Sequence, residues 1–346
     1  MNRLGVALLA GLLGSPAVAQ DISFQGKTLT MIVGFEPGGG TDTFARLAAS
    51  FLATGLPGVP TMVVRNIPGA EGITAMNYVM QQVAPDGMTV VTAASTTADP
   101  LNYRKPQARF DPTTFEVVGG VGRGGSALII SKEAEKRLTD KQARPVVMGS
   151  PAGVPRSGMQ MTAWGSELLG WNVKWVVGYR GTNELMLALE RGEIDMTSTA
   201  NLFLLAKLLD TGRFKILVQT GTLQNGAVVP RPDFGNAPIL ARLVKDRIAD
   251  PQARAAFDYW TNIASMDKWL ALPPKSPPAM LSVYRETYGR MIRNPEFIER
   301  GKKTSDDFVP LLHDGVEPLI RSLGNTQASA LAFLNGMFKK QGLSVE

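Results

Sequence analysis

The sequence predicts an α/β fold with two lobes, each built on a largely parallel sheet, and three observations lead to this prediction. Short apolar runs alternate with amphipathic stretches along the chain, which is the pattern of strands and helices in α/β domains. Roughly 325 residues beyond the N-terminal leader are too many for one ordinary core. Two glycine-rich or turn-rich stretches, 118–125 and 220–238, interrupt the alternation. A chain that leaves one lobe, builds a second and returns makes a hinged cleft between them.

The first strand, turn and helix follow one another directly. Leu29–Phe35 is the near-continuous apolar run of a strand covered on both faces, and Phe44–Leu52 carries apolar residues on one helical face. Between them lies a glycine-rich turn, Pro37-Gly38-Gly39-Gly40-Thr41-Asp42. We expect Thr41 or Asp42 to cap the helix, whose first N–H groups then favour a carboxylate or phosphate. The alternative interpretation is a plain strand-to-helix turn.

Asp42 has a separate predicted role within this turn. Its negative charge would repel a bound anion, so we expect it to accept backbone donors and hold the loop. The loop would then bind the ligand, and Asp42 would not contact it.

The remaining elements continue the alternation. A strand over Met88–Ala94 ends in Ser95, Thr96 and Thr97, where polar groups can face a ligand, because α/β folds bind beyond the carboxyl ends of strands. Further strands are predicted over Ser126–Ser131, Val146–Gly149, Lys174–Val177, Ile194–Thr197 and Lys215–Val218, and helices over Ser157–Leu169, Glu184–Arg191 and Leu202–Leu209.

The first 19 residues predict a secretory signal peptide. Arg3 precedes an apolar run, Leu4–Leu13, that is too short to span a bilayer, and a small-x-small pattern ends at Ala19. We therefore expect cleavage after Ala19 and a mature protein in the periplasm. The chain has no cysteine, which excludes disulfides, thiolate metal sites and a lipid-modified N-terminal cysteine.

The composition argues against several kinds of partner and site. The net charge of +6 falls to +5 without Arg3, and the basic residues are scattered, so we expect no nucleic-acid partner. With His313 as the only histidine, we also expect no metal site and no cofactor. The run Gly120–Gly125 matches the dinucleotide fingerprint, but a strand follows it where that fingerprint needs a helix. An α/β hydrolase using Ser95 or Ser150 is an alternative, although the chain lacks a G-x-S-x-G motif.

Several motifs taken together resemble the periplasmic receptors of tripartite tricarboxylate transporters, the Bug or TctC family. The resemblance covers nearly the whole mature chain and rests on the order and spacing of its motifs: Pro37-Gly38-Gly39-Gly40-Thr41-Asp42, Asn66-Ile67-Pro68-Gly69-Ala70, Pro85-Asp86-Gly87-Met88-Thr89, Tyr179-Arg180-Gly181 and Ala188-Leu189-Glu190-Arg191-Gly192-Glu193-Ile194-Asp195. It implies the type II periplasmic binding protein fold, with a first lobe of residues 20–122 and 228–346 and a second lobe of residues 123–227.

The resemblance also implies a monomeric binding protein without catalysis. Its ligand would be a small organic carboxylate, such as a dicarboxylate or an aromatic acid, and its partners would be integral-membrane permease subunits. The residues predicted to form the ligand-binding site, in which Asp42 holds the loop, are Phe35, Pro37, Gly38, Gly39, Gly40, Thr41, Asp42, Ser95, Thr96, Ser150, Pro155, Arg156, Ser157, Tyr179, Arg180, Gly181, Thr199 and Asn201. A sensing role, in which the liganded form is presented to a membrane receptor kinase, stays open.

The chain departs from the family pattern at one motif. A Gly-x-Gly-Ser turn of the second lobe is replaced by Gly153-Val154-Pro155-Arg156. Pro155 removes a backbone donor, whereas Arg156 can supply a charged, bidentate donor. The two interpretations of Arg156 are a pocket residue that makes the cleft more cationic and a solvent-facing residue beside a helix start.

Overall fold

The computed structural model describes residues 22–151, 155, 157–179, 182–224, 227–305 and 308–343. Four sequence predictions lie outside these residues: the leader and the binding roles of Arg156, Arg180 and Gly181. Of Ser157 only the backbone is described.

One sheet has six strands, in the order β13-β4-β12-β3-β1-β2. Both the first third of the chain and its last part contribute strands to it. These strands are β1 (Thr28–Val33), β2 (Thr61–Asn66), β3 (Thr89–Ala94), β4 (Glu116–Arg123), β12 (Met266–Leu272) and β13 (Phe308–Leu312). At one edge of this sheet, β1 ends at Val33 and β3 ends at Ala94. The antiparallel strand β12 begins at the same edge, because its Lys268 pairs with Ala94.

The second sheet has five strands, in the order β7-β6-β8-β5-β9, and all of them come from the middle of the chain. They are β5 (Ala127–Ser131), β6 (Val146–Ser150), β7 (Val173–Val177), β8 (Met196–Thr199) and β9 (Phe214–Gln219). A separate two-stranded hairpin follows, formed by β10 (Thr222–Gln224) and β11 (Ala227–Val229).

The helices fill the intervals between strands. They are α1 (Gly40–Gly55), α2 (Ile73–Gln82), α3 (Pro100–Tyr103), α4 (Lys132–Glu135), α5 (Gln160–Leu168), α6 (Thr182–Arg191), α7 (Leu202–Asp210), α8 (Leu240–Val244), α9 (Pro251–Ser265), α10 (Pro278–Met291), α11 (Pro295–Thr304), α12 (His313–Gly324) and α13 (Ala328–Lys340). The described part of the chain lacks a helix with the length and apolar character of a membrane span.

The predicted element types are confirmed, but the prediction of largely parallel sheets is wrong. Parallel pairing is limited to β1 with β2 and β3, and to β6 with β7 and β8. The strands β4, β12, β13, β5 and β9 form antiparallel pairs. Continuous apolar runs favour parallel strands, but β4 and β5 are antiparallel strands that are also covered on both faces, so their apolar pattern does not reveal their direction.

Aromatic residues join helices that are far apart in the sequence. Trp164 of α5 is fully buried, and its ring lies 5.0 Å from Phe257 and 6.2 Å from Trp260 of α9. Phe333 of α13 stacks on the same ring at 6.3 Å. The C-terminal helix therefore packs against a helix of the middle region. Trp164, Trp171, Trp260 and Trp269 are all buried and belong to the core.

The glycine-rich stretch 118–125 is a crossing only at its end. Its first part is strand β4, in which Gly119 makes room for the ring of Tyr288 and Gly120 lets a neighbouring strand approach. The chain passes between the sheets at residues 124–126, and a strand follows, as predicted. The crossing contacts the turn between β9 and β10: Gly125 lies against the carbonyl of Gly221, and the Ser126 N–H donates to Thr220 Oγ1 at 2.8 Å.

Beyond the hairpin the chain stays beside the five-stranded sheet before it returns. Ile239 forms a parallel bridge with Gln219, and the buried Arg231 donates its N–H to Gln219 Oε1 at 2.7 Å. The six-stranded sheet is entered again at Met266. The predicted lobe boundaries at 122/123 and 227/228 stay a prediction.

Candidate functional site

Three loops meet at the carboxyl edge of the six-stranded sheet. They follow β1, β2 and β3, respectively. A β-carbon on Gly34 would lie 2.9 Å from Gly72 Cα, and one on Gly72 would lie 3.4 Å from the Phe35 ring, so the first two loops touch. Thr96 Oγ1 donates to the Glu71 carbonyl at 3.0 Å, which joins the second loop to the third.

The first loop exposes its glycines. Gly38 has φ +84°, and a β-carbon at Gly38 or Gly40 would meet no described atom within 4 Å. Gly39 is the N-cap residue, with φ −75° and ψ 167°, and α1 begins at Gly40. The first N–H groups of a sixteen-residue helix therefore lie beside an open, side-chain-free surface.

The prediction that Thr41 or Asp42 caps α1 is wrong. Both residues lie inside the first turn and are buried, and no described side chain caps the helix. Asp42 reaches backwards instead, because its carboxylate accepts the N–H of Gly38, one residue before the N-cap.

Asp42 holds the loop through three hydrogen bonds. Its Oδ2 accepts from Gly38 N at 2.8 Å and from Arg46 Nε at 2.9 Å, and its Oδ1 accepts from Asn66 Nδ2 at 2.8 Å. Asn66 also donates to the Phe35 carbonyl at 2.8 Å. The predicted role of Asp42 as an acceptor of backbone donors is thus confirmed.

Asp42 is ionised at any physiological pH. Burial by itself would raise its pKa, but the hydrogen bonds from Arg46, Gly38 and Asn66 outweigh burial and lower the pKa to about 2. A permanent negative charge therefore lies under the loop, and it is compensated before any ligand arrives.

The second loop has an unusual backbone. Gly69, Ala70, Glu71 and Gly72 have φ values of +134°, +47°, +56° and +95°. Positive φ is common for glycine, but Ala70 and Glu71 have a β-carbon that disfavours it. Hydrogen bonds from Thr96 to the Glu71 carbonyl and from Gly72 N to the Gly69 carbonyl hold this conformation.

The third loop is anchored from below. Ser95 is buried and Thr96 is half-buried, while Thr97 Oγ1 accepts from Trp269 Nε1 at 3.1 Å and donates to the Ala94 carbonyl at 2.7 Å. The amide of Asn102 bridges two loops, because its Nδ2 donates to the Thr96 carbonyl and to Glu71 Oε2, each at 3.2 Å.

The predicted site residues of the middle region either end strands of the second sheet or lie in the segments that follow these strands. Ser150 and Thr199 end the neighbouring parallel strands β6 and β8 and are both buried. Asn201 caps α7, because its Oδ1 accepts from Leu204 N at 2.9 Å. Tyr179 packs in part against the apolar cluster under α6 and α7. Pro155 is buried, and its carbonyl accepts from Gln160 Nε2 at 3.0 Å.

Sequence reasoning missed three residues of this site. Asn66 lies in a motif but has no obvious role until its bonds to Asp42 and Phe35 are known. Asn102 has no signal in the sequence, and the signal near Glu71 is limited to Gly69 and Gly72, which indicate a turn. The bonds that identify all three join residues 24 to 31 positions apart.

Comparisons with known proteins agree on the family. The family model "Tripartite tricarboxylate transporter family receptor" (TctC) matches residues 45–231, more than half of the chain. A UPF0065 protein of Bordetella pertussis is 28% identical over 325 residues, covering 90% of this chain and 88% of its own.

Solved structures agree on the fold. A TctC solute-binding protein from Polaromonas has a TM-score of 0.67 at 18% identity and covers 92% of this chain and 100% of its own. The periplasmic binding protein BugD has a TM-score of 0.51 at 20% identity, covering 92% and 99%. A protein of R. palustris, crystallised with adipate, has a TM-score of 0.53 at 19% identity, covering 92% and 98%. The chain has the fold of these periplasmic binding proteins and belongs to the TctC family of tripartite tricarboxylate transporter receptors.

Proposed function

We propose that the protein is an extracytoplasmic solute-binding protein that captures a small organic carboxylate between two lobes. It delivers this ligand to a tripartite tricarboxylate-type membrane permease. The observation that carries the proposal is the open glycine loop 38–40 at the start of α1, held from beneath by the buried Asp42 carboxylate. Backbone N–H groups at a helix start suit a carboxylate, and a preorganised loop loses little entropy on binding.

The related fold with a bound acid supports the ligand class. The R. palustris protein that shares this fold was crystallised with adipate, a dicarboxylate. A mature protein outside the cytoplasm, as its leader predicts, would meet such acids directly.

The described residues give the hydrolase alternative little support. Ser95 and Ser150 are 5% and 1% exposed. His313 follows Leu312, which pairs with Gly119 at one end of the strands β13 and β4. The other end of this strand pair, where Phe308 pairs with Arg123, is the end near the candidate site. The histidine therefore lies at the opposite end of the six-stranded sheet from Ser95, where it cannot act as a base for that serine.

Native mass spectrometry of the protein, purified without denaturation, tests the proposal. We expect a mass increment of a small organic acid that disappears after denaturation and refolding. Calorimetry with mono- and dicarboxylates should then restore saturable 1:1 binding. Stripped protein that binds no carboxylate in such a panel would overturn the proposal.

Closure of the lobes is a second expectation. Residues 124–126 cross between the sheets, and Gly125 lies against Gly221; the φ values of +92° and +78° at these two glycines support a hinge here. Small-angle scattering should therefore show a smaller radius of gyration for saturated than for stripped protein. A Gly39→Val variant that cannot bind is the control and should give the same curve with and without acid. Identical curves for free and saturated wild type would count against closure.

A further inference from the structure

Glu71 has a backbone conformation that the function proposed above does not explain. Within the described residues, Val59 and Lys275 also have positive φ, but each occurs singly, whereas Ala70 and Glu71 are consecutive. Glutamate is disfavoured at φ +56°, and glycine would occupy this position without strain. Residues in strained conformations cluster at ligand sites, so the side chain of Glu71 calls for a functional reason.

The carboxylate of Glu71 is positioned rather than free. Its Oε2 accepts from Asn102 Nδ2 at 3.2 Å, and Asn102 is 8% exposed. Thr96 fixes the carbonyl of the same residue. The other carboxylate oxygen, Oε1, has no hydrogen-bond partner among the described residues, and Glu71 as a whole is exposed. One acceptor oxygen is thus held at the edge where the three loops meet.

The negative charge of Glu71 makes this acceptor selective between an ammonium group and a carboxylate. Asp99 is the neighbouring acid, and its pKa is raised first by burial and also by the negative charge of Glu71, while Lys105 offsets part of this effect. Asp99 Oδ1 already accepts from Tyr259 Oη and Leu101 N. A guest group beside Glu71 meets the negative charge of the Glu71 carboxylate itself, which repels a second carboxylate and favours an ammonium group.

We propose that Glu71 is a specificity-determining residue that binds the ammonium group of an amino-carboxylate ligand. This inference rests on the proposed function, because the glycine loop 38–40 would hold the carboxylate of the same ligand. The two groups would lie on different loops of one sheet edge, joined through the Gly72 contact with Phe35.

Calorimetry with matched acids tests the inference. Adipate and 2-aminoadipate, with shorter pairs such as succinate and aspartate, differ only in the amino group. We expect the wild type to bind at least one amino member about tenfold or more tightly than its plain partner. Glu71→Gln keeps the shape and the bond from Asn102 but removes the charge, and it should reduce that ratio to less than about threefold.

Two glycine variants separate binding from backbone strain. Glu71→Gly removes strain and carboxylate together, so it should lose the preference without any loss of thermal stability. Ala70→Gly relieves the neighbouring strain at φ +47° and should keep the preference.

The outcomes distinguish this inference from the proposed function. Wild type that binds carboxylates but prefers the plain members, or Glu71→Gln with an unchanged ratio, would overturn the role of Glu71 alone. Wild type that binds neither series would overturn the proposed function and this inference with it.

Discussion

Replacing Gly39 by valine is expected to abolish carboxylate binding while leaving the protein folded. A β-carbon at Gly39 would meet only the Glu36 carbonyl, at 3.6 Å, and φ −75° suits any residue, so the fold accepts the side chain. The valine methyl groups would instead fill the space in front of the first N–H groups of α1. We expect an affinity loss of at least about 100-fold, or about 2.7 kcal/mol, by calorimetry.

A graded series makes this result specific. Gly39→Ala should lose less affinity than Gly39→Val, because a single methyl fills less of the ligand space. Gly336→Ala, at another open glycine in α13, is the control and should bind normally. A folded Gly39→Val protein with undiminished affinity would contradict an anion site at this loop.

Replacing Asp42 by alanine is expected to destabilise both the fold and the loop. The substitution leaves Gly38 N and one Asn66 N–H without their acceptor; Asp42 is buried, whereas Asn66 is half-buried and Gly38 is exposed. Because water can reach part of these donors, removing the charged acceptor should lower the free energy of unfolding by about 1 to 3 kcal/mol in a urea titration. Ligand affinity should also fall about tenfold or more, because the loop is no longer held before binding.

Arg46→Gln is the matched control for Asp42. The Arg46 side chain is 51% exposed, so its ion pair with Asp42 should contribute less than about 1 kcal/mol. If Arg46→Gln destabilises the protein as much as Asp42→Ala, the ion pair rather than the backbone bond holds the loop.

Acid pH provides an independent check on Asp42. Its folded pKa of about 2 lies below the ordinary value of 3.8, so its contribution is complete above roughly pH 5 and is lost as pH falls towards 2. The stability difference between wild type and Asp42→Asn should therefore narrow over that range. A constant difference down to pH 2 would mean that the charge of Asp42 contributes nothing.

The sequence by itself determined the kinds of elements and their order. Apolar periodicity is a local property, so the strand ending at Val33, the helix over residues 40–55 and the alternation through the middle region could be predicted within a few residues. The family motifs are local as well, and for this reason the glycine loop, the fold and the TctC family could be predicted before any contact was known.

Tertiary structure alone decided strand direction, the partners of Asp42 and the role of the second loop. Antiparallel β12 reaches the six-stranded sheet only after the chain has built the other one, and no periodic pattern encodes that path. Asn66 reaches Asp42 across 24 residues, and Thr96 holds Glu71 across 25. Each of these contacts depends on loops that become neighbours only when their strands pair, so the geometry of the site could be known only from the folded chain.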